Sequence, residues 1–133
     1  MPKASVLQFH NYDVEEMVYK AVPVSEERHE FELHPQFDHK VIELGEGNYD
    51  VRLTFAIEPT EKYPMPFELK VSMVGHLTYP EQEGEDIAAK DQILQQNTVS
   101  ILFPFLRSIV ASLTSNANIP TLMLPVMNFT KDN

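Results

Sequence analysis

Two segments in the middle of the chain alternate between apolar and polar residues. Between Asn48 and Ile57 every second residue is apolar, and between Phe67 and Tyr79 the same period places most apolar residues on one side. A period of two is typical of a β-strand with one face buried and the other in solvent. The pattern therefore predicts two neighbouring strands, joined by a proline-rich loop over residues 58–66.

Two further strands are predicted on the N-terminal side of this pair. One runs roughly from Phe37 to Leu44 and reaches the next strand through a turn at Gly45–Asn48. The other lies within residues 4–22 and is expected to break near Asp13–Glu16. Short connections predict an antiparallel four-stranded meander, with an irregular crossover over residues 23–35 between the first strand and the second.

The pattern changes after Pro80, where acidic residues precede a helical period. A helix is expected to begin near Glu85, because carboxylates favour the positive end of the helix dipole. The apolar positions on one helix face are Ile101, Leu102, Phe105, Leu106, Ile109, Val110 and Leu113. Pro104 cannot donate an interior helical hydrogen bond, so we expect two helical pieces or a kink there. The predicted class is α+β, with the sheet packed by one long, kinked or broken helix.

The opposite face of this helix carries small, uncharged side chains. These are Ser108, Ala111, Ser112 and Ser115, and Arg107 is the only charged residue between Gln92 and Thr130. A solvated helix face normally carries Lys and Glu. We therefore expect a second helix, from this chain or from a copy of it, to pack on this surface. The alternative is a helix enclosed entirely by its own domain, which small domains seldom achieve.

Composition and charge narrow the function classes. The chain has 133 residues, 43% of them hydrophobic and 23% charged, which predicts one compact domain over residues 1–133. A net charge of -10 repels phosphate backbones and anionic lipids, so neither nucleic acid nor a membrane is expected as a partner. There is no Cys, no signal-peptide pattern, and the longest apolar run, Ile101–Leu113, is too short to span a bilayer. We expect a cytoplasmic protein.

Candidate chemistry is scarce. His29 and His34 are five residues apart, one too many for the zinc signature in which two histidines meet on one helical face. We interpret the histidines as solvated loop residues and expect no metal. No nucleophile-elbow, P-loop or dinucleotide motif occurs, so no cofactor and no catalytic residues are predicted, and the protein is expected to be non-enzymatic.

The crossover and its flanks carry apolar side chains on a proline-bounded backbone. These are Tyr19, Phe31, Leu33 and Phe37. Such side chains either plug the edge of the core or line a groove for a ligand. Both interpretations stay open at this point.

The block Ile101–Phe129 resembles the most diagnostic region of SecB-type export chaperones. It has an I-L-F-P-aromatic helix start and an arginine three residues after Pro104. Pro120–Phe129 reads P-T-L-M-L-P-V-M-N-F, which is similar to the family's P-x-L-x-L-x-P-V-N-F, with Met127 inserted before the asparagine. Upstream, HPQFDHKVIEL, NYDVRLTFAI and PFELKVSMVGHL are similar to the family's strands two to four. The resemblance covers most of the chain.

The resemblance implies a four-stranded antiparallel sheet backed by the long helix, in a homotetramer built as a dimer of dimers. The helices would lie at the subunit interface, with Arg107, Ser108, Ala111, Ser112 and Ser115 as interface residues. Unfolded preproteins would bind in apolar grooves formed partly by the crossover, with Tyr19, Phe31, Leu33 and Phe37 as contacts. The classical chaperones also carry a second helix and a tail beyond the N-F motif, and we expect this short relative to lack them.

The resemblance also implies docking to the SecA motor through an acidic surface of the sheet. Two of the aligned acidic positions are Lys20 and Lys70 here, and Glu16 retains the charge. We therefore expect SecA binding to be weak or absent. The predicted function is a cytoplasmic SecB-like chaperone for extended, unfolded polypeptides. The alternatives are an oligomeric interaction adaptor that keeps the scaffold without holding clients, and a chaperone attached to a toxin–antitoxin system.

Overall fold

The computed structural model describes residues 7–23, 31–80 and 86–117. The strands are β1 (Gln8–Ala21), β2 (Gln36–Gly45), β3 (Asn48–Ile57) and β4 (Phe67–Thr78). They are followed by α1 (Ile87–Gln92), a π-helical segment (Ile93–Asn97) and α2 (Thr98–Asn116). The predicted α+β class, with one four-stranded antiparallel sheet and a long helix, is confirmed. The block from Pro120 to Phe129 lies outside the described residues.

The sheet combines a meander with an added edge strand. Its order is β1-β4-β3-β2, and every neighbouring pair is antiparallel. The turn between β2 and β3 has positive φ at Gly45, Glu46 and Gly47, with values of 94°, 56° and 79°. A Cβ on Gly47 would also lie 3.0 Å from the Tyr79 carbonyl oxygen. Glycine is therefore required at Gly47 on both conformational and steric grounds.

Strand β1 is continuous from Gln8 to Ala21, so the predicted break near Asp13–Glu16 is wrong. The pairing with β4 instead shifts register between Phe9 and Asn11 and again between Val14 and Glu16. A register shift of this kind bends the strand while the ladder continues on both sides of it. The polar cluster in the sequence therefore marks a bulge rather than the end of the strand.

The helix begins close to the predicted point. The Asp86 side chain accepts a 2.9 Å hydrogen bond from the Ala88 N–H and caps the first turn. The prediction of two pieces divided at Pro104 is wrong, because α2 runs through Pro104 without interruption. The departure from α-helical geometry lies about two to three turns earlier, in the π segment. A π turn accommodates one extra residue and rotates the following face relative to the preceding one.

The core lies between the helix and one face of the sheet. Val51, Leu53, Leu69, Val71 and Met73 of the two central strands have no solvent exposure. On the helix they meet a buried stripe formed by Val99, Leu102, Phe103, Leu106 and Val110. A Cβ on Gly75 of β4 would lie 2.5 Å from Leu102 Cδ2, so the missing side chain lets the helix approach the sheet.

The buried helix face is rotated from the predicted one. Ile101, Phe105, Ile109 and Leu113, which were assigned to the core face, are half-buried. They form a flanking stripe that faces edge strand β1, where Phe105 contacts Phe9 and Tyr12 with ring centroids 5.7 and 4.8 Å apart. Phe103, not assigned to the core, is buried because it packs against β2, where its ring contacts Phe37.

The continuous helical segment Ile87–Asn116 is long and apolar enough to cross a membrane by length and composition alone. It exceeds the run Ile101–Leu113 considered from the sequence because the helix extends through the uncharged residues before Pro104. Its buried stripe is the central layer of the core, and core helices of soluble proteins share this length and composition.

Candidate polypeptide-binding surfaces

Three of the side chains chosen from the sequence pack against the helix-side core, and the fourth, Leu33, is exposed in the segment that leads into β2. Leu33 is exposed, with 38% of its surface accessible. Tyr19, Phe31 and Phe37 are half-buried and pack against the main core. The same three aromatics therefore both close the core and keep part of each ring at the surface.

Two of these aromatics are held by ring contacts. Phe37 meets Phe103 of α2 edge to face, with ring centroids 5.9 Å apart, and Tyr19 stacks on Phe67 of β4 at 5.9 Å. Tyr19 lies on β1 and Phe37 on β2, the two opposite edge strands, so the structure does not bring them into one compact cluster. Phe31 and Leu33 belong to the described end of the crossover that leads into β2.

A second apolar surface lies between edge strand β1 and helix α2. This groove has a volume of about 390 Å³ and is lined by Met17, Ser108, Ile109, Ser112, Leu113 and Asn116. Met17 is 56% exposed, and Val14 on the same strand is 37% exposed. Exposed methionine on an edge strand beside a helix is an adaptable apolar surface. We call this feature the β1–α2 groove.

The candidate interface residues lie along one side of α2, with Arg107 at its edge. Ser108, Ser112 and Ser115 are exposed and Ala111 is half-buried, which agrees with an outward-facing position. Ser108 and Ser112 also line the β1–α2 groove. Arg107 falls one turn after Phe103, on the β2 side of the helix, and its buried Nε has no hydrogen-bond partner within the described residues. Arg107 therefore lies at the edge of the outward stripe, one turn before Ala111.

The outer face of the sheet carries paired charges instead of apolar side chains. Arg52 of β3 donates from Nε to Glu15 of β1 at 2.8 Å, and Lys70 of β4 lies 3.1 Å from Glu16. The hydrogen bond from Arg52 lowers the pKa of the Glu15 carboxyl, and the Glu15 carboxylate raises the pKa of Arg52. Two of the proposed docking residues, Glu16 and Lys70, therefore neutralise each other, and Lys20 is exposed further along β1.

Three histidines lie on strands, so their interpretation as loop residues is wrong. His10 Nε2 is 2.6 Å from Thr78 Oγ1, and His39 Nε2 is 3.2 Å from Gln95 Oε1 of the helical segment. His76 lies between two carboxylates, with Nε2 2.7 Å from Asp13 Oδ2 and Nδ1 2.7 Å from Asp50 Oδ1. No cluster of His, Asp and Glu within the described ranges has the geometry of a metal site.

The geometry and the sequence pattern agree with one family of proteins. The sequence matches the family model described as "Preprotein translocase subunit SecB" over residues 4–131. The chain belongs to the SecB family. Family membership supports a chaperone role for the chain.

Relatives named as SecB are found in bacteria. The protein-export protein SecB of Chromobacterium violaceum is 27% identical over 128 residues, covering 96% of this chain and 83% of that protein. The SecB of Anaplasma phagocytophilum is 38% identical over 82 residues, covering 61% of this chain and 51% of its own length. An uncharacterized protein of the archaeon Methanocaldococcus jannaschii is 28% identical over 130 residues, covering 96% of this chain and 82% of that protein.

Solved structures share the fold. The SecB-like chaperone of Mycobacterium tuberculosis, in complex with a ChAD peptide from the HigA1 antitoxin, superposes with a TM-score of 0.75 at 12% identity, covering 94% of this chain and 93% of that one. A Streptococcus agalactiae protein of unknown function gives a TM-score of 0.54 at 10% identity, covering 90% and 97%. At these identities the likeness concerns the SecB fold itself.

Sequence reasoning missed the β1–α2 groove and the His76 bridge. Met17 and Val14 are apolar like the buried residues of the central strands, and their exposure depends on β1 being at an edge of the sheet. The bridge joins His76 to Asp50, which is 26 residues earlier in the chain, and to Asp13, which is 63 residues earlier. A shared polar face could have been read from the alternation of β3 and β4, but the position of β1 beside β4 could not.

Proposed function

We propose that this chain is a cytoplasmic, non-enzymatic SecB-family chaperone that binds extended, unfolded polypeptides through the apolar surface of its crossover. The observation that carries the proposal is the exposure of Leu33 together with the partial burial of Phe31 and Phe37. Leu33 is exposed beside aromatics that are only half-buried against the core. An extended chain can bury its own side chains on such a surface without a specific sequence.

The SecB-like chaperone of M. tuberculosis, which shares this fold, is bound to a peptide of an antitoxin. That complex supports a polypeptide as the ligand class. Relatives named as protein-export SecB support unfolded preproteins as clients. An export role and a toxin–antitoxin role place the same demand on the surface, which is to hold an extended segment and release it.

The proposal is tested by aggregation suppression with Leu33→Ser. Loss of one exposed apolar contact should weaken the apparent affinity for an unfolded client about three- to tenfold, because burying such a side chain contributes roughly 1 kcal/mol. Leu44→Ser is the matched control, since Leu44 is 58% exposed and lies at the other end of β2. Wild-type suppression by Leu33→Ser, or equal loss in both variants, would place client binding elsewhere.

Phe31 and Phe37 require a separate experiment because both side chains pack on the core. If they only plug the core, replacing both by Ser should unfold the protein and suppression should be lost with the fold. If they also contact clients, Phe37→Leu should keep the fold and still reduce suppression. Thermal unfolding of each variant separates the two outcomes.

We further propose that the chain self-associates through the outward side of α2, as a dimer or tetramer. Ser108, Ala111, Ser112 and Ser115 allow close approach of a second helix, and the adjoining β1–α2 groove offers apolar area. Ala111→Glu should dissociate the assembly in sedimentation, whereas Leu44→Glu, at an exposed position of β2 outside this surface, should leave it intact. A wild-type monomer at tens of micromolar, a generous concentration for an interface of standard size, would rule this out.

A further inference from the structure

The outer face of the sheet contains an arrangement in which one histidine joins three strands. His76 of β4 contacts Asp13 of β1 through Nε2 and Asp50 of β3 through Nδ1, both at 2.7 Å. A neutral imidazole has one N–H donor and one acceptor nitrogen, whereas an ionised carboxylate only accepts. Two short contacts to carboxylates are satisfied together when both ring nitrogens carry a proton.

We propose that Asp13, His76 and Asp50 form a protonation-dependent clamp that holds edge strand β1 on the sheet. The clamp acts on a defined piece of β1, because Asn11–Val14 lies between the two register shifts in the pairing with β4. On the helix side, the ring of Tyr12 in this piece contacts Phe105. On the outer side, Asp13 reaches His76, so the piece is held from both faces.

The surrounding charges favour the protonated ring. The hydrogen bond to Asp13 and then the one to Asp50 raise the pKa of His76 above its ordinary value. The other titratable and charged groups on this face include His10, Glu15 and Glu16 on β1, Arg52 on β3, Lys70 on β4, and Lys40 on β2 directly opposite Arg52. His10 contacts Thr78, and Glu15 and Arg52 pair with each other. Neither carboxylate of the clamp has another cation as a hydrogen-bond partner within the described residues.

The pH dependence has a definite sign. A group whose pKa is raised by folding stabilises the folded state fully below its unfolded pKa, and this contribution is lost as pH rises through the folded pKa. Deprotonation leaves His76 with one N–H for two carboxylates. Asp50 is held more closely, since its side chain is 24% exposed and that of Asp13 is 71% exposed. The link to β1 is therefore the one that weakens.

The clamp has a consequence for the β1–α2 groove, which rests on the proposed function. Met17, in the same strand four residues after Asp13, forms one wall of that groove. When β1 separates from the sheet more often, Met17 is in place to line the groove for less of the time. Self-association through the groove should then weaken as pH rises, whereas the exchange experiment below reports on the clamp whether or not the chain assembles.

The test is amide hydrogen exchange of the full chain by NMR between about pH 5.5 and 9, with rates converted to protection factors. Protection of the Asn11–Val14 amides should fall roughly fivefold relative to central β4 as pH rises, the factor expected for loss of one partly exposed charge-assisted hydrogen bond. In His76→Gln the same amides should show low protection that does not change with pH. His10→Gln is the matched control, because it removes a histidine from the same face that contacts a hydroxyl.

Two outcomes would overturn the clamp. One is constant protection of Asn11–Val14 across the range in the wild type. The other is a fall of equal size in His76→Gln. If His76→Gln does not fold, Asp13→Asn replaces it as a milder change at an exposed side chain, and it should remove the pH dependence in the same amides. Persistence of the dependence in that variant also contradicts the proposal.

Discussion

The two faces of the sheet hold the four strands together by different interactions. On the helix side, Leu53, Leu69 and Val71 have no solvent exposure and are fixed by packing. On the outer side, Arg52 and Glu15 are about two-fifths exposed and are held by an ion pair that crosses from β3 to β1. Packing is insensitive to pH and salt, whereas exposed ion pairs depend on both. The comparison teaches that edge strand β1, where Val14 and Met17 are exposed, is held by ion pairs of the outer face as well as by packing.

The largest effect is expected from removing a central core side chain. Leu53→Ala should lower the free energy of unfolding by about 3 kcal/mol, because it leaves a cavity in the fully buried layer. Thr54→Ala, the next residue on the outer face, should change it by about 0.5 kcal/mol. Urea unfolding of the two variants measures both, and similar losses would mean that the outer face is also a packed layer.

A pH-dependent difference should separate the two faces further. Folding lowers the Glu15 pKa, so its pairing with Arg52 stabilises the protein above the unfolded pKa and is lost as pH falls through the folded pKa. The stability difference between wild type and Glu15→Gln should therefore vanish in acid. The deficit of Leu53→Ala should stay nearly constant over the same range. Thermal unfolding from pH 3 to pH 7 tests this, and a Glu15→Gln deficit that persists at the acid end would contradict it.

The smallest effect concerns the charge of the outer face toward a partner. Lys70 pairs with Glu16, and Lys20 is exposed on β1, so the face is less acidic than one that docks a basic motor. We expect weak or no binding to SecA of the same organism. Lys20→Glu with Lys70→Glu should strengthen binding a few-fold at low salt, since rim charges mainly tune association. Tight binding of the wild type to SecA, weakened by the two substitutions, would contradict this prediction.

Much of the fold followed from local pattern. The alternation in β3 and β4 set their buried faces correctly, because the side-chain period of a strand is fixed by its geometry. The outward position of Ser108 and Ser112 on α2 also followed from the helical period. These predictions needed no knowledge of which element lies next to which.

The parts that failed depend on tertiary position. The buried stripe of α2 is set by how the helix lies across the sheet, so Phe103 is buried and Phe105 turns toward β1. Pro104 lies inside α2, since packing of the neighbouring turns compensates for one missing hydrogen bond. The exposure of Met17 and the contact between Asp13 and His76 both require β1 to pair with β4. No local signal in the sequence specifies that pairing.

The central claim is that the crossover surface holds unfolded polypeptide, and binding to one protein in two states tests it most directly. The measurement is a titration of this chain against a single client, once in its folded form and once as a permanently unfolded variant, repeated with several unrelated clients. The claim predicts binding to each unfolded form and none to the folded forms, with weaker binding by Leu33→Ser and unchanged binding by Leu44→Ser. Binding to one folded partner, with no affinity for the unfolded chains, would contradict it and identify the protein as an adaptor.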